Sequence, residues 1–255
     1  MMKVKKFFIA ALAGFLVFYL SLFITLVAGQ QIRDYFFREF AYQAVTKRII
    51  GKAESDSAKA VLLYNYVSRN ISAPMAGEVI TDENPFETLV KGAGSCDQQS
   101  NLLITLAGVG GIKGRLVFLY GNDNISHHSV CELELENKYR MFDPFYTQVL
   151  LTSENKLAGI DDIQEQNILP GMERNELPLD YFSIFEKENP YRVFLTNELP
   201  LTKNFARKAV GAWYFLFDGF LLRAYTKAYL FTDKAGDGRE KRIRKLLFST
   251  SPAFL

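Results

Sequence analysis

Three side chains in this sequence have the types and order of a thiol nucleophile site: Cys96, His128 and Asp143. Cys96 stands in Gly94-Ser95-Cys96-Asp97-Gln98-Gln99, after a glycine-rich turn, and opens an apolar helical pattern through Leu102, Leu103, Leu106 and Ala107. The attacking species is a thiolate, and an ordinary cysteine with a pKa of about 8.5 is mostly protonated at neutral pH. A helix N-terminus and a neighbouring imidazolium both favour the anion. His128 follows Cys96 by 32 residues and would return the proton to a leaving group. Asp143 follows by a further 15 and would accept the other ring N–H, holding the tautomer. The Cys96 backbone N–H is one oxyanion donor, with Gln98 and Gln99 as candidate helpers.

The hydrophobic pattern supplies the elements that must hold these groups. Gln30 to Ile50 reads as an amphipathic helix with Ile32, Phe36, Phe40 and Val45 near one face. Glu54-Ser55-Asp56-Ser57 offers caps for a helix to about Arg69, its period carried by Ala58, Val61, Leu62 and Asn65-Tyr66. Phe86 to Val90 is a short helix broken by Gly92 and Gly94, and the Cys96 helix should stop near Gly108–Gly111. Three strands follow, Arg115–Tyr120, His128–Leu135 and Tyr139–Phe142, with a tight turn at Glu136-Asn137-Lys138. Residues 150–205 show weak periodicity. Side chains alternate along a strand, so His128, Val130 and Glu132 share one face, and His127, Ser129 and Cys131 the other. If His128 points at Cys96, Cys131 points away, which argues against a disulfide between the two cysteines.

At these residues the chain resembles the transglutaminase-like superfamily of papain-type thiol enzymes. The shared pattern is a glycine, one residue, the cysteine and an apolar helix. It continues with a glycine-isoleucine leading into a strand (Gly111-Ile112), a histidine with an acidic residue four later (His128 and Glu132), and Asp143-Pro144 at a strand end. Tyr66-Val67-Ser68-Arg69-Asn70-Ile71 looks like the end of the helix that precedes the cysteine in such domains. The resemblance covers about residues 52–150 and implies Cys96 as nucleophile, His128 as acid/base and Asp143 as its orienter. It implies an α+β fold, a cysteine-bearing helix packed on a small antiparallel sheet, with added helices. Positions where relatives often carry tryptophan hold Val130 and Tyr139, and the only tryptophan is Trp213, which points away from protein cross-linking.

The ends of the chain suggest a membrane. Residues 1–6 carry a net charge of +3, residues 7–208 of −5 and residues 209–255 of +4. Phe7 to Ala28 is a run of 22 residues without a charge. As a helix it spans roughly 33 Å, enough for a bilayer core of about 30 Å. The preceding lysines favour a cytoplasmic N-terminus. The expectation is therefore a basic segment 1–6, a signal anchor 7–28, an extracytoplasmic domain 29–208, and an apolar helix with a basic tail at 209–255. A cleaved signal peptide ending in Val27-Ala28-Gly29 is the rival, though its apolar region would be about 7–15 residues. Residues 209–231 contain Asp218, Arg223 and Lys227, and read as a second span, an interfacial helix or a core helix. The cluster Arg239, Lys241, Arg242, Arg244 and Lys245 is a candidate contact for anionic lipid, or a solvated basic segment.

Bland roles stand beside the sharp ones. His127 reads as a solvated or packing residue, Glu132 as a solvated strand charge, Asp143 as a turn former before Pro144. Asn70-Ile71-Ser72 and Asn124-Ile125-Ser126 match glycosylation acceptors. Two cysteines build no disulfide framework, no phosphate-binding glycine loop or metal-ligand cluster is present, and the charge distribution does not suggest nucleic acid. Two functions follow from different classes. One is a membrane-anchored thiol enzyme, without cofactor, acting on an amide or peptide carbonyl. The other is a catalytically silent scaffold that binds an envelope polymer or a partner protein.

Overall fold

The computed structural model describes residues 14–15, 19, 30–75, 84–121, 123–165, 181–186, 189–197, 204, 207–212, 223, 226–227, 229–230 and 237–248. Helix α1 (Gln30–Ile50) leads into α2 (Asp56–Asn70), α3 (Pro85–Lys91) and α4 (Cys96–Val109). Strands β1 (Gly114–Tyr120), β2 (Ser126–Leu135) and β3 (Lys138–Phe142) follow, then helix α5 (Ile160–Gln164), a 3-10 turn (Tyr181–Phe185), strand β4 (Tyr191–Thr196) and helix α6 (Asp237–Phe248).

Local chemistry sets the boundaries. The Ser55 hydroxyl accepts from the Ala58 N–H at 3.2 Å and starts α2. Asn84 caps α3 in the same way through the Phe86 N–H at 3.1 Å, with Pro85 at the first helical position, where no amide hydrogen is needed. Gly92 ends α3 in the left-handed region, at φ 68°. Glu136 and Asn137, at φ 54° and 62°, form the two-residue loop that joins β2 to β3.

The four strands form one antiparallel sheet in the order β3-β2-β1-β4. Leu116, Cys131, Leu133 and Phe142 face the main core with α1, α2, α3 and α4. Val117, Leu119, Val130 and Met141 face a second, smaller core with Leu150, Ala158, Ile160, Tyr181 and Phe185. Cys96 sits in the first layer and Tyr181 in the second, with the sheet between.

The helix limits expected from the sequence agree with these; the buried face of α2 was turned, whereas that of α1 holds at Phe40 and Val45. In α2 the buried side chains are Ala60, Leu63, Tyr64, Tyr66 and Val67, whereas Val61 and Leu62 are exposed. In α1 they include Phe37, Phe40, Ala41, Ala44 and Val45, and Ile32 is exposed. Both helices carry apolar residues on more than one face, so periodicity alone did not single out the one that meets α4. Strand β4 was missed inside 150–205. Its side chains from Arg192 to Thr196 are exposed, so it carries no alternating buried pattern.

Helix α6 folds back onto the domain. Arg239 makes a paired contact with Glu87, both nitrogen–oxygen distances being 2.6 Å. Arg48 donates to the carbonyls of Leu246 and Leu247 at 2.9 and 2.7 Å, supplying partners for oxygens that a helix C-terminus leaves open. Val210 and Tyr229, from the apolar stretch 209–231, are buried in the main core, and the Tyr229 ring stacks on Phe37 at 4.2 Å. Among the described residues no helix is long and apolar enough to cross a membrane. The span expected at 7–28 lies outside the described residues except for Gly14, Phe15 and Tyr19, and so does most of 209–231.

Candidate active site

Cys96 is the first residue of α4 and is half-buried. The turn before it is held from several sides. The Gly94 N–H donates to the Ser72 carbonyl at 3.0 Å, and the Gln99 side-chain amide donates to the Gly94 carbonyl at 2.8 Å. The Ser95 N–H donates to Gln98 Oε1 at 2.9 Å, one half of a capping box, while the Ser95 hydroxyl bonds to Asp97. A Cβ on Gly94 would lie 2.8 Å from Thr88 Cγ2 and 3.2 Å from Gln98 Cβ, so only glycine lets α3 and α4 close on this turn. Gln98 and Gln99, both buried, are used in shaping the turn.

His128 and Asp143 are both buried, and His128 Nε2 lies 2.6 Å from Asp143 Oδ2. The other oxygen of Asp143 accepts the backbone N–H groups of Phe145 and Tyr146, each at 3.1 Å. Asp143, expected as the orienter of His128 with a turn former as the alternative, both caps a turn and bonds the histidine. The Cys96 side chain also hydrogen-bonds the imidazole. Burial alone would push the imidazole down. The Asp143 charge and hydrogen bond, reinforced by Cys96, override it and hold His128 up at about 9.

The alternation read from the sequence holds, but the layers are reversed. His128 lies on the face of Val130, whereas the body of α4 packs on the face of Cys131 and Leu133. Cys96 meets His128 because it sits at the tip of the helix. The β3 pairing ends with Phe142 opposite Cys131, so the start of β2 has no β3 neighbour and the sheet edge is open there. Cys131 is fully buried, its thiol donates to the Phe142 carbonyl at 3.5 Å, and both cysteines are free. Burial pushes the Cys131 thiol well up, as befits an inert core residue.

The other residues weighed in the sequence fall outside this group. His127 is exposed and pairs with Asp123 at 2.8 Å. Glu132 is not a solvated strand charge. It is buried, paired with Arg115 at 2.6 Å, and accepts the Ile160 N–H at 3.1 Å. Burial pushes its carboxyl up, and the Ile160 N–H and Arg115 only partly offset that. Arg115 in turn lies over the Tyr139 ring at 4.0 Å, which gives the position expected for a tryptophan a cation–π role. One site residue had no sequence signal. Tyr181, from the aperiodic region, is buried and donates its phenol to Asp143 Oδ2 at 2.8 Å.

A thiol at a helix tip, a buried imidazole and a buried carboxylate are thus joined by hydrogen bonds. Residues 43–144 match the family model of the transglutaminase-like superfamily. Over those residues the chain is similar to that superfamily's core. Two solved structures are similar to parts of it. One is a candidate protease from Parabacteroides distasonis ATCC 8503, at 15% identity over 48% of this chain and 25% of that one, with a TM-score of 0.35. The other is a candidate cysteine protease from Cytophaga hutchinsonii, at 17% identity over 54% of this chain and 45% of that one, with a TM-score of 0.37. This chain therefore spans a quarter of the first and under half of the second. No curated protein matches it. The matched segment ends at Pro144, so Phe145, Tyr146 and Tyr181 lie beyond it.

Proposed function

We propose that this protein is a membrane-anchored thiol hydrolase that cleaves an amide or peptide bond through Cys96, His128 and Asp143. The observation that carries the reading is the buried His128 imidazole, bonded on one side to Asp143 and on the other to Cys96. A histidine kept only for packing has no need of both a carboxylate at 2.6 Å and a thiol as hydrogen-bond partners.

In this reading the Cys96 thiolate attacks the carbonyl carbon, and the carbonyl oxygen takes the electron pair. The Cys96 N–H, at the open N-terminus of α4, faces the developing oxyanion. Collapse of the tetrahedral adduct expels the amine, which takes the proton from His128, and leaves a thioester on Cys96. Water, losing its proton to His128, then attacks the thioester. The acid is released and the thiolate–imidazolium pair is restored. Asp143 fixes the ring. Water is the default second nucleophile in an exported domain, so hydrolysis rather than acyl transfer is the outcome. The uncharged run 7–28 after three lysines supports a tether with the domain on the extracytoplasmic side. The basic cluster Arg239, Lys241, Arg242, Arg244 and Lys245 would be the contact for anionic headgroups, with Arg239 also paired to Glu87, Arg242 donating to the Lys91 carbonyl and Arg244 paired to Glu240.

The test is an acyl-enzyme assay with p-nitrophenyl acetate. The wild type should release a burst of p-nitrophenolate equal to the enzyme present, carry an acetyl group on Cys96 by mass spectrometry, and then turn over. Cys96→Ala should show neither burst nor turnover. A wild type with neither acetylation of Cys96 nor turnover supports the silent scaffold instead, and one acetylated but not turned over by water points to acyl transfer.

A further inference from the structure

Asp143 accepts four hydrogen bonds, and they come from three parts of the chain. Oδ1 takes the Phe145 and Tyr146 amides of its own turn, while Oδ2 is shared between His128 of β2 and the phenol of Tyr181. The turn amides anchor one oxygen only. The plane of the carboxylate is fixed by what holds the other, and His128 cannot do this alone if it must also swing its proton between Cys96 and a leaving group.

We propose that Tyr181 is a positioning residue, its phenol locking Asp143 for His128, so that a segment beyond the transglutaminase-like core completes the active site. This rests on the thiol-enzyme reading above. Tyr181 is fully buried, with its ring against Tyr146 at 5.4 Å and Phe185 at 5.5 Å. Phenylalanine would fill that packing equally well. A buried hydroxyl costs free energy unless it is bonded, so the tyrosine is explained by the carboxylate it meets. Burial and the Asp143 charge push its ionisation well above the ordinary value, so it is a permanent donor. By sharing Oδ2 it also draws carboxylate charge away from His128 and moderates the hold of Asp143 on the imidazolium. The second layer of the fold therefore acts on the chemistry through one oxygen atom.

Tyr181→Phe removes the donor and keeps the ring. His128 is one of two histidines, so its titration can be followed by NMR at the ring carbons. The variant should titrate higher than wild type by roughly half a pH unit, and its p-nitrophenyl acetate turnover should fall about tenfold, with circular dichroism unchanged. Both changes should vanish when Tyr181→Phe is made in an Asp143→Asn background, since the phenol acts only through that carboxylate. An unmoved His128 titration with full turnover, or an equal loss in both backgrounds, would reduce Tyr181 to packing and overturn the proposal while leaving the thiol enzyme intact. Absence of the acyl burst in the wild type would overturn both.

Discussion

At the scale of single residues, the site depends on one imbalance. Burial works against a charged His128, and the Asp143 carboxylate, with Cys96, wins. The folded imidazole is raised above its ordinary 6.5 to about 9. Its contribution to stability is therefore complete below about pH 6.5 and is lost as pH rises through about 9. In a Cys96→Ala background, where the thiol no longer titrates and its share in raising His128 is gone, the unfolding free energy should still fall between pH 7 and pH 10, by an amount on the order of 1–2 kcal/mol set by Asp143. Asp143→Asn should flatten this slope, because the amide brings no charge while the burial of His128 remains. An unfolding free energy that does not change over that range would show that His128 is buried neutral.

At the scale of elements, the helix tip is the device that brings Cys96 and His128 together, and it depends on a turn with no room for a side chain. Gly94→Ala should lower stability by about 1–3 kcal/mol in chemical denaturation, since its Cβ would crowd Thr88 and Gln98. It should also lower Cys96 reactivity, because Gln98 holds the Ser95 amide immediately before the nucleophile. A variant as stable and as reactive as wild type would mean the turn adapts. This turn, the Cys96 helix and the three strands after it were legible because each combines a periodic apolar pattern with a glycine or asparagine break. His128 and Asp143 were legible from their types and spacing. The packing side of the sheet was not, because β2 is buried on both faces from His128 to Leu133 and its alternation carries no polarity to read. Tyr181 was not legible either. Its role arises from the return of a distant, aperiodic segment to Asp143, a contact across 38 residues that no local pattern encodes.

At the scale of the whole molecule, the sheet divides the work between two layers. The α1–α4 layer positions Cys96 and makes most of the core, while the α5 and Tyr181 layer encloses the histidine and the carboxylate. The basic C-terminal helix is tied to the first layer through Arg239 and Glu87 and through Arg48, so it belongs to the domain whatever else its outer face meets. This division also supplies an internal control, because the second cysteine, Cys131, is fully buried in the same fold with no histidine beside it. The most direct measurement is the rate of carbamidomethylation of each cysteine by iodoacetamide at pH 6.5, read by mass spectrometry in wild type, His128→Ala and His127→Ala. An ordinary thiol is about 1% thiolate at that pH. Cys96 should label rapidly in wild type and in His127→Ala, at least about tenfold more slowly in His128→Ala, and Cys131 not at all while the protein is folded. Equal, slow labelling of Cys96 in all three proteins would contradict the pairing of Cys96 with His128.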